Sequence, residues 1–162
     1  MNEMVVIGVQ QVLPSNTPVI LLREKEGERL LPIFIGLPEA TAIGLTLAGQ
    51  EAPRPMTHDL FVTVLETFSA TLERVVITQL RDRTFYSDIY LRGPAGVDAL
   101  SARPSDAIAL AVRMGAGVFV EEEVLEEAGY IAPPEQEEPI TDVQVEEFRE
   151  FLDNVNPDDF AG

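Results

Sequence analysis

The feature that most restricts the fold is a weak internal repeat. Three predicted strands lead into the segment "PEATAIGLTLAG", and three more lead into "PSDAIALAVRMG". In each copy an acidic residue, Glu39 or Asp106, closely follows a proline and opens an Ala-rich helix, and the two are 67 residues apart. Two such units predict an α+β fold in which a duplicated β-β-β-α unit forms a mixed, largely antiparallel sheet with helices packed on it.

The local pattern supports this organisation. Apolar runs bounded by turn residues predict strands at 4–13, 19–24, 29–35, 74–80, 84–91, 97–101 and 118–121. Helical spacing of apolar or small residues predicts helices at 36–49, 58–69, 103–115 and 122–129. Thr57 is the expected N-cap of the second helix. Pro32 lies within the third strand, which indicates an edge or a bulge there.

Acidic residues are concentrated near the C-terminus. Residues 121–162 carry a net charge of −14, whereas residues 1–120 carry −3. We therefore predict a body at 1–130 and a tail at 131–162, in which an acidic Pro/Glu linker precedes an amphipathic helix. The tail has two interpretations, a solvated segment that needs no target or a nucleic-acid mimic that covers arginines of the body.

The residue types that are missing exclude several classes of site. The chain has no cysteine and one histidine, His58, so disulfides, thiolate nucleophiles and multi-histidine sites within one chain are excluded. Any metal must be held mainly by carboxylates, which suits Mg²⁺ or Mn²⁺. The sequence shows neither a long apolar run nor a secretory signal, so we expect a cytoplasmic protein that does not enter the membrane.

Four stretches carry a family resemblance. They are "LPIFIGLPEATAI" (31–43), "RPMTHDL" (54–60), "TFYSDIYL" (84–91) and "SARPSDAIALAVR" (101–113). Because these four stretches occur in this order, the chain resembles the bifunctional nuclease domain family over most of residues 4–121. The resemblance implies an α+β fold built from the duplicated unit and a homo-oligomer, expected to be a dimer. It also implies nuclease activity on RNA and DNA.

Two positions depart from the family pattern. Ser101 stands where the family usually has an acidic residue, so a carboxylate that could bind metal in active members is missing here. Arg83 stands where the family often has glycine, so the turn before "TFY" is expected to be altered.

Phosphodiester hydrolysis explains why these residue types matter. The reaction needs an activated water, a cation to neutralise the phosphate, and an acid for the leaving oxygen. Clustered carboxylates with Mg²⁺ or Mn²⁺, a histidine and arginines supply these functions. The predicted site comprises catalytic His58, Asp59 and Asp106, substrate-binding Arg54 and Arg103, and metal ligands Glu39, Asp59 and Asp106.

Each candidate also has a structural interpretation. The three carboxylates lie in first helical turns, where the helix dipole favours them by about 0.3–1 kcal/mol. Arg54 and Arg103 could bridge to these carboxylates and lock the two repeats together, and His58 could be only a hydrogen-bonding residue. Asp88 lies on a polar-aromatic strand face that fits a nucleobase or a subunit interface. The alternative functions are therefore a non-enzymatic homo-oligomeric binding or regulatory module, or a small-ligand sensor.

Overall fold

An eight-stranded sheet organises residues 1–132, the part of the chain that the computed structural model describes. The predicted tail at 131–162 therefore lies almost wholly outside the described residues. The strands are β1 Asn2–Val12, β2 Thr17–Glu24, β3 Arg29–Phe34, β4 Thr71–Arg81, β5 Thr84–Gly93, β6 Gly96–Ala102, β7 Gly117–Val120 and β8 Tyr130–Ile131. The helices are α1 Leu37–Leu47, α2 Thr57–Thr67, α3 Pro104–Met114 and α4 Glu122–Ala128.

The order of the strands confirms the predicted α+β fold. Across the sheet they run β6-β5-β4-β7-β1-β2-β3-β8, so the two three-strand units flank β7. All paired strands are antiparallel except β4 and β7. None of the helices within 1–132 is long and apolar enough to cross a bilayer.

Helix α3 is the central helix of the core. Residues 107–111, "AIALA", are all buried, and α3 packs against α1, α2 and strands β4 and β5. The small alanine side chains let neighbouring backbones approach closely, while Ile108 fills the space above the sheet. This packing fixes the first turn of α3, which carries Asp106.

The start of α2 corrects one sequence prediction. Thr57 is the first residue of the helix and Met56 is the N-cap, so the expectation that Thr57 caps α2 is wrong. The carboxylate of Asp59 accepts the Met56 backbone N–H at 2.9 Å. A carboxylate three residues after the cap can satisfy a free amide from inside the helix, and a cap by Thr57 is not needed.

The sheet edges also refine the predictions. Strand β8 was not predicted, because two residues give no periodic pattern. It pairs with Arg29 and Leu30 only, so Pro32 lies on the uncovered part of the β3 edge, as expected. In the turn before "TFY", Arg83 has a φ of 62°, the left-handed conformation that glycine adopts most easily.

Candidate active site

Arg103 joins the two repeats at the helix starts. Its Nη2 donates to Glu39 Oε1 at 2.9 Å, and its Nε donates to Asp106 Oδ2 at 2.8 Å. Glu39 and Asp106 occupy equivalent positions, each the third residue of its helix. Arg103 therefore forms the bridge between the carboxylates of the two repeats, which was one of the interpretations that the sequence allowed.

His58 brings α2 to the same cluster. Its Nε2 lies 3.0 Å from Asp106 Oδ1, and its side chain is 14 % exposed. An ionised carboxylate can only accept a hydrogen bond, so Nε2 must carry the proton. In the neutral imidazole the lone pair then lies on Nδ1, which can accept a proton from another group.

The surroundings keep Asp106 ionised. Burial raises the pKa of the Asp106 carboxyl, but hydrogen bonds from Arg103 and His58 outweigh it and hold the pKa below its usual value. The hydrogen bonds of Arg103 also raise its own pKa. The bond to Asp106 is the larger cause and the bond to Glu39 the next. At neutral pH Asp106 is therefore a carboxylate that lies beside the Arg103 guanidinium.

Asp59 belongs to a second cluster centred on Arg113. Arg113 Nε donates to Asp59 Oδ1 at 2.7 Å, and Nη1 and Nη2 donate to the carbonyls of Ala109 at 3.0 Å and Ala42 at 3.1 Å. The hydrogen bonds from Arg113 and the Met56 N–H lower the pKa of Asp59. Sequence reasoning missed Arg113, although its position two turns after Asp106 on one helix was visible.

The predicted metal ligands lie in two separate clusters, since Glu39 and Asp106 contact Arg103 whereas Asp59 contacts Arg113. Asp106 and Arg113 are seven residues apart, which corresponds to about 10 Å along a helix, so Asp59 is not brought to Asp106 and Glu39. Within residues 1–132, no three His, Cys, Asp or Glu side chains are grouped so as to hold a metal ion. In this arrangement Glu39 and Asp106 bind the guanidinium of Arg103 and are not free to bind a divalent ion. A metal ion could bind them only after Arg103 had released both carboxylates.

The remaining candidates from the sequence are Arg54 and Asp88. Arg54 is exposed in an open cleft of about 540 Å³ that Asp59 and Arg113 also line, and it forms no ion pair with a residue in 1–132. Asp88 lies in the middle of β5, opposite Ser101 of β6. Arg103 lines a different open cleft, of about 340 Å³, beside the start of α3.

The low pKa values of Asp59 and Asp106 predict acid sensitivity. Because the folded-state pKa lies below the unfolded one, each contributes stability that is present above the unfolded value and is lost as pH falls through the folded value. We expect the midpoint of urea unfolding to fall as the pH is lowered below about 5. Asp59→Asn should make this decline shallower, and an unchanged slope would contradict the assignment.

Comparison with known proteins identifies the family. A family model described as the bifunctional nuclease domain matches residues 20–133. The chain belongs to the bifunctional nuclease domain family. All six residues of the predicted site fall within the matched range. Membership supports a nuclease-like kind of function and contact with nucleic acid.

Two relatives of this bifunctional nuclease domain protein come from Mycobacterium tuberculosis. They are "Uncharacterized protein MT1877" of strain CDC 1551 / Oshkosh and "Uncharacterized protein Rv1829" of strain ATCC 25618 / H37Rv. Each is 46 % identical over 164 residues, which cover 99 % of this chain and 98 % of the relative. The similarity therefore extends over both the nuclease-family domain and the acidic tail.

Proposed function

We propose that this protein hydrolyses phosphodiester bonds in RNA or DNA, with His58, Asp106 and Arg103 at the centre of the site. The observation that supports this most is the His58–Asp106 hydrogen bond, placed directly beside an arginine that lines an open cleft. A histidine oriented by a carboxylate and next to a guanidinium is a combination suited to proton transfer at a phosphate.

Each residue has a distinct proposed role. His58 takes a proton from the attacking water at Nδ1 and later returns it to the leaving oxygen, a role that typically contributes about 10²–10⁴-fold in rate. Asp106 holds the imidazole through Nε2–H and stabilises the cation formed when His58 gains the proton. Arg103, whose side chain is about half exposed, binds the phosphate. Arg54 remains a proposed contact for another phosphate of the strand.

Metal assistance is a separate part of the proposal. Glu39 and Asp106 are the two carboxylates that could share Mg²⁺ or Mn²⁺, once Arg103 has moved from both. The proposed role of Asp59, as ligand or catalyst, requires its separation from Arg113 in the same way. Bound there, a divalent ion would supply positive charge to the phosphate.

The proposal is tested by cleavage of labelled single-stranded RNA and DNA. The purified chain and a form ending at residue 132 are assayed in Mg²⁺, Mn²⁺ and EDTA. Cutting that EDTA abolishes supports metal assistance, whereas cutting that persists in EDTA supports the histidine, carboxylate and arginine acting alone. No cutting by either form contradicts the nuclease proposal. Tighter nucleic-acid binding by the shorter form would support the tail as a nucleic-acid mimic.

One observation favours the alternative, a homo-oligomeric binding module. Leu60, Phe61, Val64 and Phe68 lie on one face of α2 or directly after it and are 40–72 % exposed, while Leu65 alone in this helix is buried. A contiguous apolar face of this kind is typical of a protein interface. We propose that a second copy covers it, because a helix face can pack on itself across a two-fold axis.

Polar substitutions on this face test the dimer. The double variant Leu60→Ser/Val64→Ser should be a monomer at concentrations where the natural chain is a dimer, because it removes apolar area from the interface only. Light scattering after size exclusion measures the mass, and Glu66→Gln on the same helix is the control. A natural chain that is monomeric at high concentration would contradict the proposal, and dimerisation lost on removal of 133–162 would point to the tail instead.

A further inference from the structure

Ser105 is a buried polar residue that has no partner. Its side chain is 6 % exposed, and its hydroxyl forms no hydrogen bond to any residue in 1–132. Ser87 shows the usual situation, since it is fully buried and its hydroxyl donates to the Ala102 carbonyl at 2.6 Å. The Ser105 hydroxyl is not sealed in the core, since the buried side-chain polar atom without a partner in 1–132 is Arg74 Nε. Ser105 lines the cleft beside Arg103, so its free hydroxyl is available to a molecule in that cleft.

The start of α3 adds donors at the same place. The helix spans 11 residues, and no side chain caps its first turn. The backbone N–H groups of Ser105 and Asp106 lie in this turn, where no helix carbonyl precedes them, and the helix dipole favours a negative charge. Arg103 lines the cleft as well, whereas the carboxylates of Glu39 and Asp106 do not form part of its lining. The cleft therefore presents hydrogen-bond donors, to which Arg103 adds the N–H groups that Asp106 and Glu39 do not accept.

The other walls of the cleft are largely apolar. Phe34 of β3 and Phe85 and Tyr86 of β5 line it, together with Ala102 and Pro104. The volume of about 340 Å³ lies at the lower end of the range of roughly 300–1,000 Å³ for small-molecule sites. Aromatic walls beside a phosphate site suit one nucleotide, because every base can stack on an aromatic ring.

We propose that this cleft binds a single nucleotide unit through its phosphate. The phosphate accepts hydrogen bonds from the Ser105 hydroxyl and the first-turn amides of α3 and contacts Arg103, while the base and sugar lie against the aromatic wall. This inference rests on the proposed nuclease function, for which it names the subsite that holds a phosphate-bearing nucleotide of the strand. It adds Ser105, which has no role in the proton transfer, as a binding residue.

Calorimetry with small probes tests the subsite without cleavage. Adenosine monophosphate, adenosine and inorganic phosphate are each titrated into the full chain in EDTA. We expect the monophosphate to bind at least ten-fold more tightly than either of the others. Ser105→Ala should weaken it at least five-fold and leave the unfolding midpoint unchanged, because the hydroxyl has no partner to lose. Thr67→Ala, on α2 away from the cleft, should leave binding of the monophosphate unchanged.

A second variant keeps the test independent of Ser105. Thr84 is half-buried at the start of β5 and lines the cleft, so a carboxylate introduced by Thr84→Asp should repel the phosphate. It should weaken binding of the monophosphate more than binding of adenosine. Equal binding of the two, no binding of the monophosphate, or binding that both variants leave unchanged overturns the inference.

The two proposals fail in different ways. Monophosphate binding without any cleavage would leave the subsite intact and refute the nuclease. Cleavage by a chain that does not bind the monophosphate would support the nuclease and refute the subsite.

Discussion

Asp106→Asn is expected to slow cleavage of RNA or DNA by about 100-fold or more. The amide cannot stabilise the imidazolium that forms when His58 accepts a proton, and such proton transfer typically contributes about 10²–10⁴-fold. Initial rates on a labelled strand measure the effect, with urea unfolding of the same preparation to show that the variant is folded.

Glu39→Gln is the matched control for this variant. This substitution weakens the contact of Arg103 with the first repeat, because it removes the charge of its partner carboxylate. It leaves the hydrogen bond between His58 and Asp106 in place. We expect it to retain more of the rate than Asp106→Asn does. An Asp106→Asn protein that is folded and fully active would show that the cluster is only structural.

Arg113→Met is expected to lower the free energy of unfolding by about 2–3 kcal/mol. Arg113 is 8 % exposed and donates to Asp59 and to the carbonyls of Ala42 and Ala109. Its removal takes one donor from each of these acceptors, although the Ala42 carbonyl keeps the Thr46 hydroxyl. Removing one partner of a buried pair typically costs about 3–5 kcal/mol. The effect should be smaller here, because Asp59 is 37 % exposed and can regain water.

Urea unfolding of single and double variants measures this contribution. Arg113→Met combined with Asp59→Asn should be more stable than the sum of the two single losses predicts, because the double variant leaves no unpaired charge. A change below about 0.5 kcal/mol for Arg113→Met would contradict the role of this residue as the anchor of α2.

The sequence was sufficient to predict the duplicated fold and the equivalent placement of two carboxylates. The repeat placed Glu39 and Asp106 at equivalent helix starts, and a bridge from Arg103 to these carboxylates was one of the two interpretations that the sequence left open. Apolar residues on most sides of α3 also made its burial predictable. These features depend on spacing along one or two elements, which a sequence displays directly.

What the sequence could not show was how α2 docks. His58 and Asp59 are adjacent in the chain, yet one binds Asp106 and the other binds Arg113, at opposite ends of α3. That division depends on the angle between two helices, and no local pattern encodes it. A shared metal site for Asp59 and Asp106 was therefore a reasonable prediction that the described geometry does not assemble.

The same contacts serve structure and proposed chemistry together. Arg103 links α1 to α3 and also lines the cleft, and Asp106 links α3 to α2 while orienting His58. A side chain held by such contacts is preorganised, which favours catalysis. Loss of stability in a variant therefore does not exclude a chemical role, so rate and stability must both be measured.

The most direct test of the central claim is imidazole rescue of His58→Ala. If the His58 ring moves the proton, the variant should lose cleavage, and free imidazole should restore part of it in a saturable, pH-dependent way. Asp106→Asn should gain little from imidazole, because its own ring is still present. Full activity of His58→Ala without imidazole would contradict the account.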